Sequence, residues 1–241
     1  MERSYNRCPD DIRPMAIEPN FLKHPKGSAL ISAGETRVIC AASVQAGAPR
    51  WKKEQGVPGG WVTSEYGMMP GSTNFRKKRP GAKPDGRSQE IQRLIGRSLR
   101  AVVDLESIGE NSIYVDCDVL DADGGTRCAS ITGSAVALQL AFLKMIKDGE
   151  IPANPMAELV AAISVGIVDG TPVLDLDYIE DSSAEVDMNV VMTEGGKLVE
   201  VQGTAEEEAF SRDEMNAMLD LAEKGLKEIF AFQRKIIAEF E

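Results

Sequence analysis

The stretch from Asp121 to Gly149 constrains the fold more than any other part of this 241-residue chain. A strand-like run, Ile113-Tyr114-Val115-Asp116-Cys117-Asp118-Val119-Leu120, feeds through Gly124 and Gly125 into a helix-periodic segment from about Thr126 to Lys147. Gly149 closes that segment. Its small residues, Ala129, Ser130, Gly133, Ala135 and Ala137, suit close packing against a sheet. A strand, a paired-glycine turn and a long helix of this kind fit an arrangement in which helices pack on a sheet.

The rest of the chain fits that demand. Ser28–Ala33 and Arg37–Val44 read as strands joined across Gly34-Glu35-Thr36, and Trp61–Tyr66 as a further strand after Pro58-Gly59-Gly60. The stretch 71–86, rich in Gly, Pro and Lys/Arg, reads as a loop. Ile91, Leu94, Ile95, Leu99, Val102 and Val103 keep helical spacing. A second strand group spans about 159–202, with Asp169-Gly170 and Glu194-Gly195-Gly196 as hairpin turns. Ser211-Arg212-Asp213-Glu214 is a capping-box sequence opening a last helix. The expected fold is α+β, with helices packed on mixed or antiparallel sheets in one domain over residues 1–241.

Charge narrows the partners. The chain carries 27 Lys+Arg against 38 Asp+Glu, a formal charge of −11. That average argues against a phosphate backbone as ligand. Its distribution argues otherwise. Between Arg76 and Arg100 stand nine basic residues (Arg76, Lys77, Lys78, Arg79, Lys83, Arg87, Arg93, Arg97 and Arg100) against Asp85 and Glu90. From Leu174 to the end, 18 acids face six bases. No apolar run reaches ~18 residues, so no membrane-spanning helix is expected. The start lacks the apolar stretch of a secretory signal, which makes a cytoplasmic location the expectation.

Hydrolysis centred on histidine is disfavoured, because His24 is the one imidazole in the chain. Cys8, Cys40, Cys117 and Cys128 are too widely spaced for a zinc site. Cys40 and Cys117 lie in apolar runs and read as reduced core residues.

Three constellations remain. In Asp123-Gly124-Gly125-Thr126-Arg127, two glycines let the backbone approach an anion at a helix N-terminus, while Thr126 adds a hydroxyl and Arg127 a planar fork. A tight structural turn is the alternative. No GxxxxGK[ST] is present, which leaves a triphosphate-loop kinase without support. The acidic stretch from Asp175 to Asn189 reads as a hairpin with Asp175 and Asp177 on one face, and Glu185, Asp187 and Asn189 on another. Such oxygen ligands suit magnesium or manganese, and a solvated face is the alternative. The basic strip could line a channel for a single strand.

Together these point to phosphoryl chemistry on a nucleic acid, and the chain resembles the bacterial ribonuclease PH family. The resemblance runs through Ile12-Arg13-Pro14, Gly59 to Tyr66, Gly86 to Arg97, Asp123 to Arg127, Ala184 to Met192 and Val201-Gln202-Gly203-Thr204-Ala205-Glu206. It implies a phosphate-dependent 3′ exoribonuclease acting on tRNA precursors, with the fold shared with polynucleotide phosphorylase and exosome ring subunits (ribosomal protein S5 domain 2-like). Arg87, Gly125, Thr126 and Arg127 would hold phosphate. Asp181 and Asp187 would be the reaction-centre carboxylates and metal ligands, for magnesium or else manganese, with Asp187 also a candidate general acid. Arg76, Lys77, Lys78, Arg79, Arg93 and Arg97 would meet RNA. The implied assembly is a homo-hexamer, a trimer of dimers. A ring subunit that binds RNA without catalysis is the competing expectation. The family usually has arginine where Gly71 stands, and Arg7-Cys8-Pro9-Asp10-Asp11 replaces a Gly-Arg-containing stretch.

Overall fold

The computed structural model describes residues 3–79, 85–206 and 208–241, so Lys83 of the basic strip lies outside the described residues. Among the described residues, nine strands form two sheets. The first contains β1 (Met15–Pro19), β2 (Gly27–Ala33), β3 (Thr36–Ala46), β4 (Trp61–Met68) and β5 (Asn111–Asp121). Its order is β1-β2-β3-β5-β4, antiparallel except for the parallel β4–β5 pair. The second contains β6 (Val160–Val168), β7 (Thr171–Leu174), β8 (Val186–Thr193) and β9 (Leu198–Ala205), antiparallel in the order β7-β6-β8-β9. Five helices complete it: α1 (Arg50–Glu54), α2 (Gly86–Arg100), α3 (Thr126–Lys147), α4 (Tyr178–Ser183) and α5 (Arg212–Ile237). The mixed and antiparallel α+β architecture is the expected one.

Helix α3 lies between the layers, touching β2 and β3 on one side and β6 on the other, while α5 covers β6 and β7. The small residues explain how it fits. A Cβ at Gly133 would come within 2.8 Å of Cys40 Sγ and Ile31 Cγ2. A Cβ at Gly27 would strike the backbone of Ala137 and Ala141. Because α3 is apolar nearly all round, its length and composition would suffice to cross a membrane, contrary to the run-length expectation. Burial of 83% of that apolar window identifies it as a core helix. One cluster of buried side chains runs from Ile17 in β1 to Ile237 in α5, through both sheets.

Local signals place the turns. Asp169 and Gly170 both have positive φ (49° and 68°), the conformation a two-residue hairpin loop requires. Ser211 and Glu214 form the anticipated capping box. All four cysteines are free, with Cys40 and Cys117 buried as directly opposed partners in β3 and β5.

Two expectations are corrected. Val102 and Val103 lie beyond α2, whose C-cap is Ala101; Val103 instead bridges Met156. Both remain buried, so core contact carried the apolar pattern past the helix end. The acidic stretch 175–189 is not a hairpin. β7 stops at Leu174, Asp175 adopts φ 55°, and Asp177 caps the short helix α4. Asp177 accepts from the N–H groups of Ile179 and Glu180, and the Glu180 carboxylate accepts from Asp177 N–H. An aspartate able to cap a helix outcompetes strand continuation here. Only Asp187 and Asn189 share a strand, β8, where Val186, Met188 and Val190 face the core as alternation requires.

Candidate active site

The paired glycines form the floor of the site. Gly124 and Gly125 have φ of 73° and 64°, and Gly125 is the N-cap of α3 with no side-chain cap. The first-turn N–H groups of α3 therefore meet no capping side chain, and the helix dipole adds to their attraction for an anion. The turn itself is braced. The Thr36 hydroxyl accepts from Asp123 N–H at 2.9 Å and donates to Gly124 O at 2.6 Å. Arg13 donates to Asp123 O at 2.5 Å.

The cations come from two helices. Thr126 is buried, its hydroxyl 3.0 Å from the Tyr66 hydroxyl of β4. Arg127, half-buried, donates to Gln202 Oε1 of β9 at 2.5 Å and lies 3.4 Å from Glu90 of α2. Arg87 stands exposed in the first turn of α2, which Asp85 caps by accepting from Ser88 N–H at 2.7 Å. Arg87 and Arg127 both act electrostatically on Tyr66, Asp181 and Asp187. The residues expected at the reaction centre thus come together from β8, α2, α3 and α4.

The carboxylates divide into two groups. Asp175 pairs with Arg13 through two contacts, 2.7 Å to Nη2 and 3.0 Å to Nε, and accepts the Arg13 backbone N–H as well. Glu180 is held by Arg3 at 2.6 Å and Arg7 at 3.2 Å, and Asp177 lies 3.9 Å from Arg7. These buried pairs fix α4. Its next residue, Asp181, has no such partner. Desolvation raises the Asp181 carboxyl, opposed by Arg87, Arg127 and Arg13. Asp187 is pushed up to about 6, first by desolvation and then by the negative charge of Asp181, with Arg127 pulling the other way. Its Oδ1 is buried without a hydrogen-bond partner. Glu206, just past β9, adds further repulsion to both. Beneath them Cys128 donates to Asn189 Oδ1 at 3.2 Å, and burial lifts its thiol to about 12, which makes it inert.

Oxygen-only donors with an unpartnered buried atom fit a magnesium or manganese ion. Among the described residues no three His, Cys, Asp or Glu side chains form a metal cage. A hard cation held by one or two carboxylates, with substrate phosphates and water completing its shell, fits such a site.

The basic strip is only partly brought to this centre. Arg76, Lys77, Lys78, Arg79 and Arg93 are exposed. Lys77 and Lys78 line a cavity of about 410 Å³ with Arg87 and Tyr66, opposite Glu65, Asp116 and Asp118 on the outer face of β4 and β5. Desolvation raises Asp116 and Asp118 there. Arg97 is paired with Glu200 of β9 at 2.7 Å. Arg100 stacks 4.5 Å from the Trp61 ring centroid and donates to Val62 O.

Sequence reasoning missed the roles of Arg3, Arg7, Arg13, Tyr66, Gln202 and Glu206. One signal was present: three arginines in the first 13 residues match the three acids Asp175, Asp177 and Glu180 in number. The partners are separated by 162 to 177 residues, which no local pattern spans.

Comparison with known proteins gives a consistent result. Residues 11–144 match the 3′ exoribonuclease family, domain 1, and residues 158–225 match its domain 2. A ribonuclease PH from Syntrophomonas wolfei is 55% identical over 239 residues, covering 98% of this chain and 99% of that protein. Among solved structures, rice (Oryza sativa) Rrp46 superposes with a TM-score of 0.77 at 20% identity, over 98% of this chain and 100% of the other. An Archaeoglobus fulgidus exosome with RNA bound to the active site gives a TM-score of 0.77 at 22% identity, covering 100% and 93%. The last two speak for the fold alone.

Proposed function

The chain belongs to the ribonuclease PH family of 3′ exoribonucleases, and from that premise we propose how its site works. It is a phosphorolytic 3′–5′ exoribonuclease that trims the 3′ ends of tRNA precursors, with inorganic phosphate as co-substrate. The observation that carries our reading of the site is the convergence of Arg87 and Arg127 with two raised, unpaired carboxyls at an uncapped helix N-terminus.

Phosphate lies on the first turn of α3, bound by Gly125 and Thr126 N–H groups and by the Arg127 and Arg87 guanidiniums. One of its oxygens attacks the phosphorus of the last phosphodiester. A phosphorus–oxygen bond forms, the bond to the preceding nucleotide's 3′ oxygen breaks, and a nucleoside diphosphate departs. Both phosphates are anionic, so the two arginines offset their repulsion and the charge that builds in the transition state. Asp187, pushed up to about 6 by burial and by the negative charge of Asp181, is the group placed to hand a proton to the leaving 3′ oxygen. Run backwards, the same groups add nucleotides from diphosphates. A magnesium ion held by Asp181 and Asp187 would supply further positive charge to the phosphates.

A single chain presents Arg76, Lys77, Lys78, Arg79 and Arg93 to open solvent, and the reading extends to a homo-hexameric trimer of dimers in which these residues share one entrance for RNA.

The deciding experiment incubates a 3′-extended tRNA with and without phosphate. Nucleoside diphosphates should appear only with phosphate; equal release of monophosphates in both would refute phosphorolysis. Arg127→Ala should raise the phosphate requirement steeply or remove activity, and unchanged phosphate kinetics would sink its assignment. Sedimentation of a stable monomer at micromolar concentration would dispose of the hexamer.

A further inference from the structure

Phe75 is 89% exposed, more than any other large apolar side chain among the described residues. Four cations follow it directly, Arg76, Lys77, Lys78 and Arg79, all of them exposed. Scattered surface leucines need no explanation. A phenyl ring presented almost wholly to water at the head of a cationic run does.

The backbone that carries the ring is held in place. Lys77 N–H donates to Pro70 O at 2.9 Å and closes the loop. Met69 N–H donates to Val119 O at 2.9 Å, and Ser72 O accepts from Ala122 N–H at 2.8 Å. At the tip, the Thr73 hydroxyl donates to Phe75 O at 2.7 Å. Ala122 immediately precedes Asp123, so the loop hangs from the strand end that leads into the phosphate turn. Lys77 and Lys78 also line the same cavity as Arg87 and Tyr66. The ring thus rides on a loop anchored to the strand end that leads into the paired-glycine turn, next to charge that a polyanion would neutralise.

We propose that Phe75 is a stacking platform for a base of the single-stranded RNA tail, upstream of the bond that is cut. This rests on the phosphorolytic reading, which supplies the RNA and its polarity. The cations following Phe75 hold backbone phosphates while the ring takes the face of whichever base lies between them. Every base has such a face, so this contact adds grip without adding sequence preference. A second copy of this chain could also cover an exposed ring, but four adjacent cations favour a polyanion over a copy of a chain that already bears them.

The test uses the full-length enzyme in phosphate-free buffer and then in turnover. Phe75→Trp should bind poly(A) and show fluorescence quenching beyond that of the wild type. Phe75→Ala should weaken poly(A) binding and raise the KM for a single-stranded tail by roughly 5- to 100-fold, the size expected for one base–aromatic stack. The KM for phosphate should not move. A poly(A) affinity and tail KM within twofold of wild type for Phe75→Ala would overturn the inference. So would a lower sedimentation coefficient, which would mark Phe75 as a contact between copies. A wild type that fails to need phosphate sinks the phosphorolytic reading instead, and the poly(A) measurement is independent of that outcome.

Discussion

The inner and outer faces of α4 lie within six residues of each other and treat negative charge in opposite ways. Inside, Asp177 and Glu180, with Asp175 just before them, are buried against Arg3, Arg7 and Arg13. Outside, Asp181 faces Asp187 across the site with no arginine bound to either, and both are raised from their ordinary range. Paired carboxylates build the support, and unpaired ones are left reactive. A cluster of acids in a sequence therefore says little about chemistry until its cations are counted.

The contrast can be broken most severely from the inside. Asp175→Ala leaves the Arg13 guanidinium buried without its partner, which should cost about 3–5 kcal/mol of stability. Urea unfolding would check this, and a loss below about 1 kcal/mol would mean the pair supports nothing. On the outside, Asp187→Asn should lower kcat by ~10²–10³ with secondary structure intact by circular dichroism. Normal turnover in that variant would remove Asp187 from the reaction.

The same substitution sharpens the contrast through pH. An acid whose folded pKa lies above its unfolded value contributes stability that is complete below about 4 and is lost as pH rises through about 6. At pH 7.5 the ionised Asp187 thus works against folding. Asp187→Asn should gain about 1–2 kcal/mol there, after allowance for solvent screening, and nothing at pH 4. Thermal unfolding at the two pH values decides it; equal gains at both would show that the effect is not electrostatic. Smallest of all is the response to a divalent cation. At about three times its dissociation constant, magnesium should add about 0.8 kcal/mol to the wild type at pH 7.5. An undiminished shift in a variant lacking both Asp181 and Asp187 would locate the ion elsewhere.

These regions also differed in how far the sequence disclosed them. The paired-glycine turn at Asp123–Arg127 was legible because its determinants are adjacent: a strand, two glycines, a hydroxyl and a planar cation, all within a dozen residues. The hairpins at Asp169-Gly170 and Glu194-Gly195-Gly196 and the capping box at Ser211 were legible for the same reason. Alternation placed Asp187 and Asn189 correctly on β8. Helix α4 was not legible, since what makes it a helix is capping by Asp177 combined with arginines from the far end of the chain. Alternating acids look alike whether they decorate a strand or cap a helix. The end of α2 was misjudged for a related reason, because Val102 and Val103 are buried by the core rather than by the helix.

Gly124 carries a consequence of its own. A Cβ there would lie 2.7 Å from the Asp177 carbonyl carbon and 2.9 Å from Tyr178 N, both backbone atoms of the start of α4. Main chain rests on main chain, with no side chain between that could shorten, lengthen or swing. The spacing between the paired-glycine turn and α4, which carries Asp181, is therefore set by the thickness of two peptide backbones. Side-chain substitution offers no gradual means of adjusting such a spacing. It can reshape the rim of the cleft, while this span follows the course of the main chain.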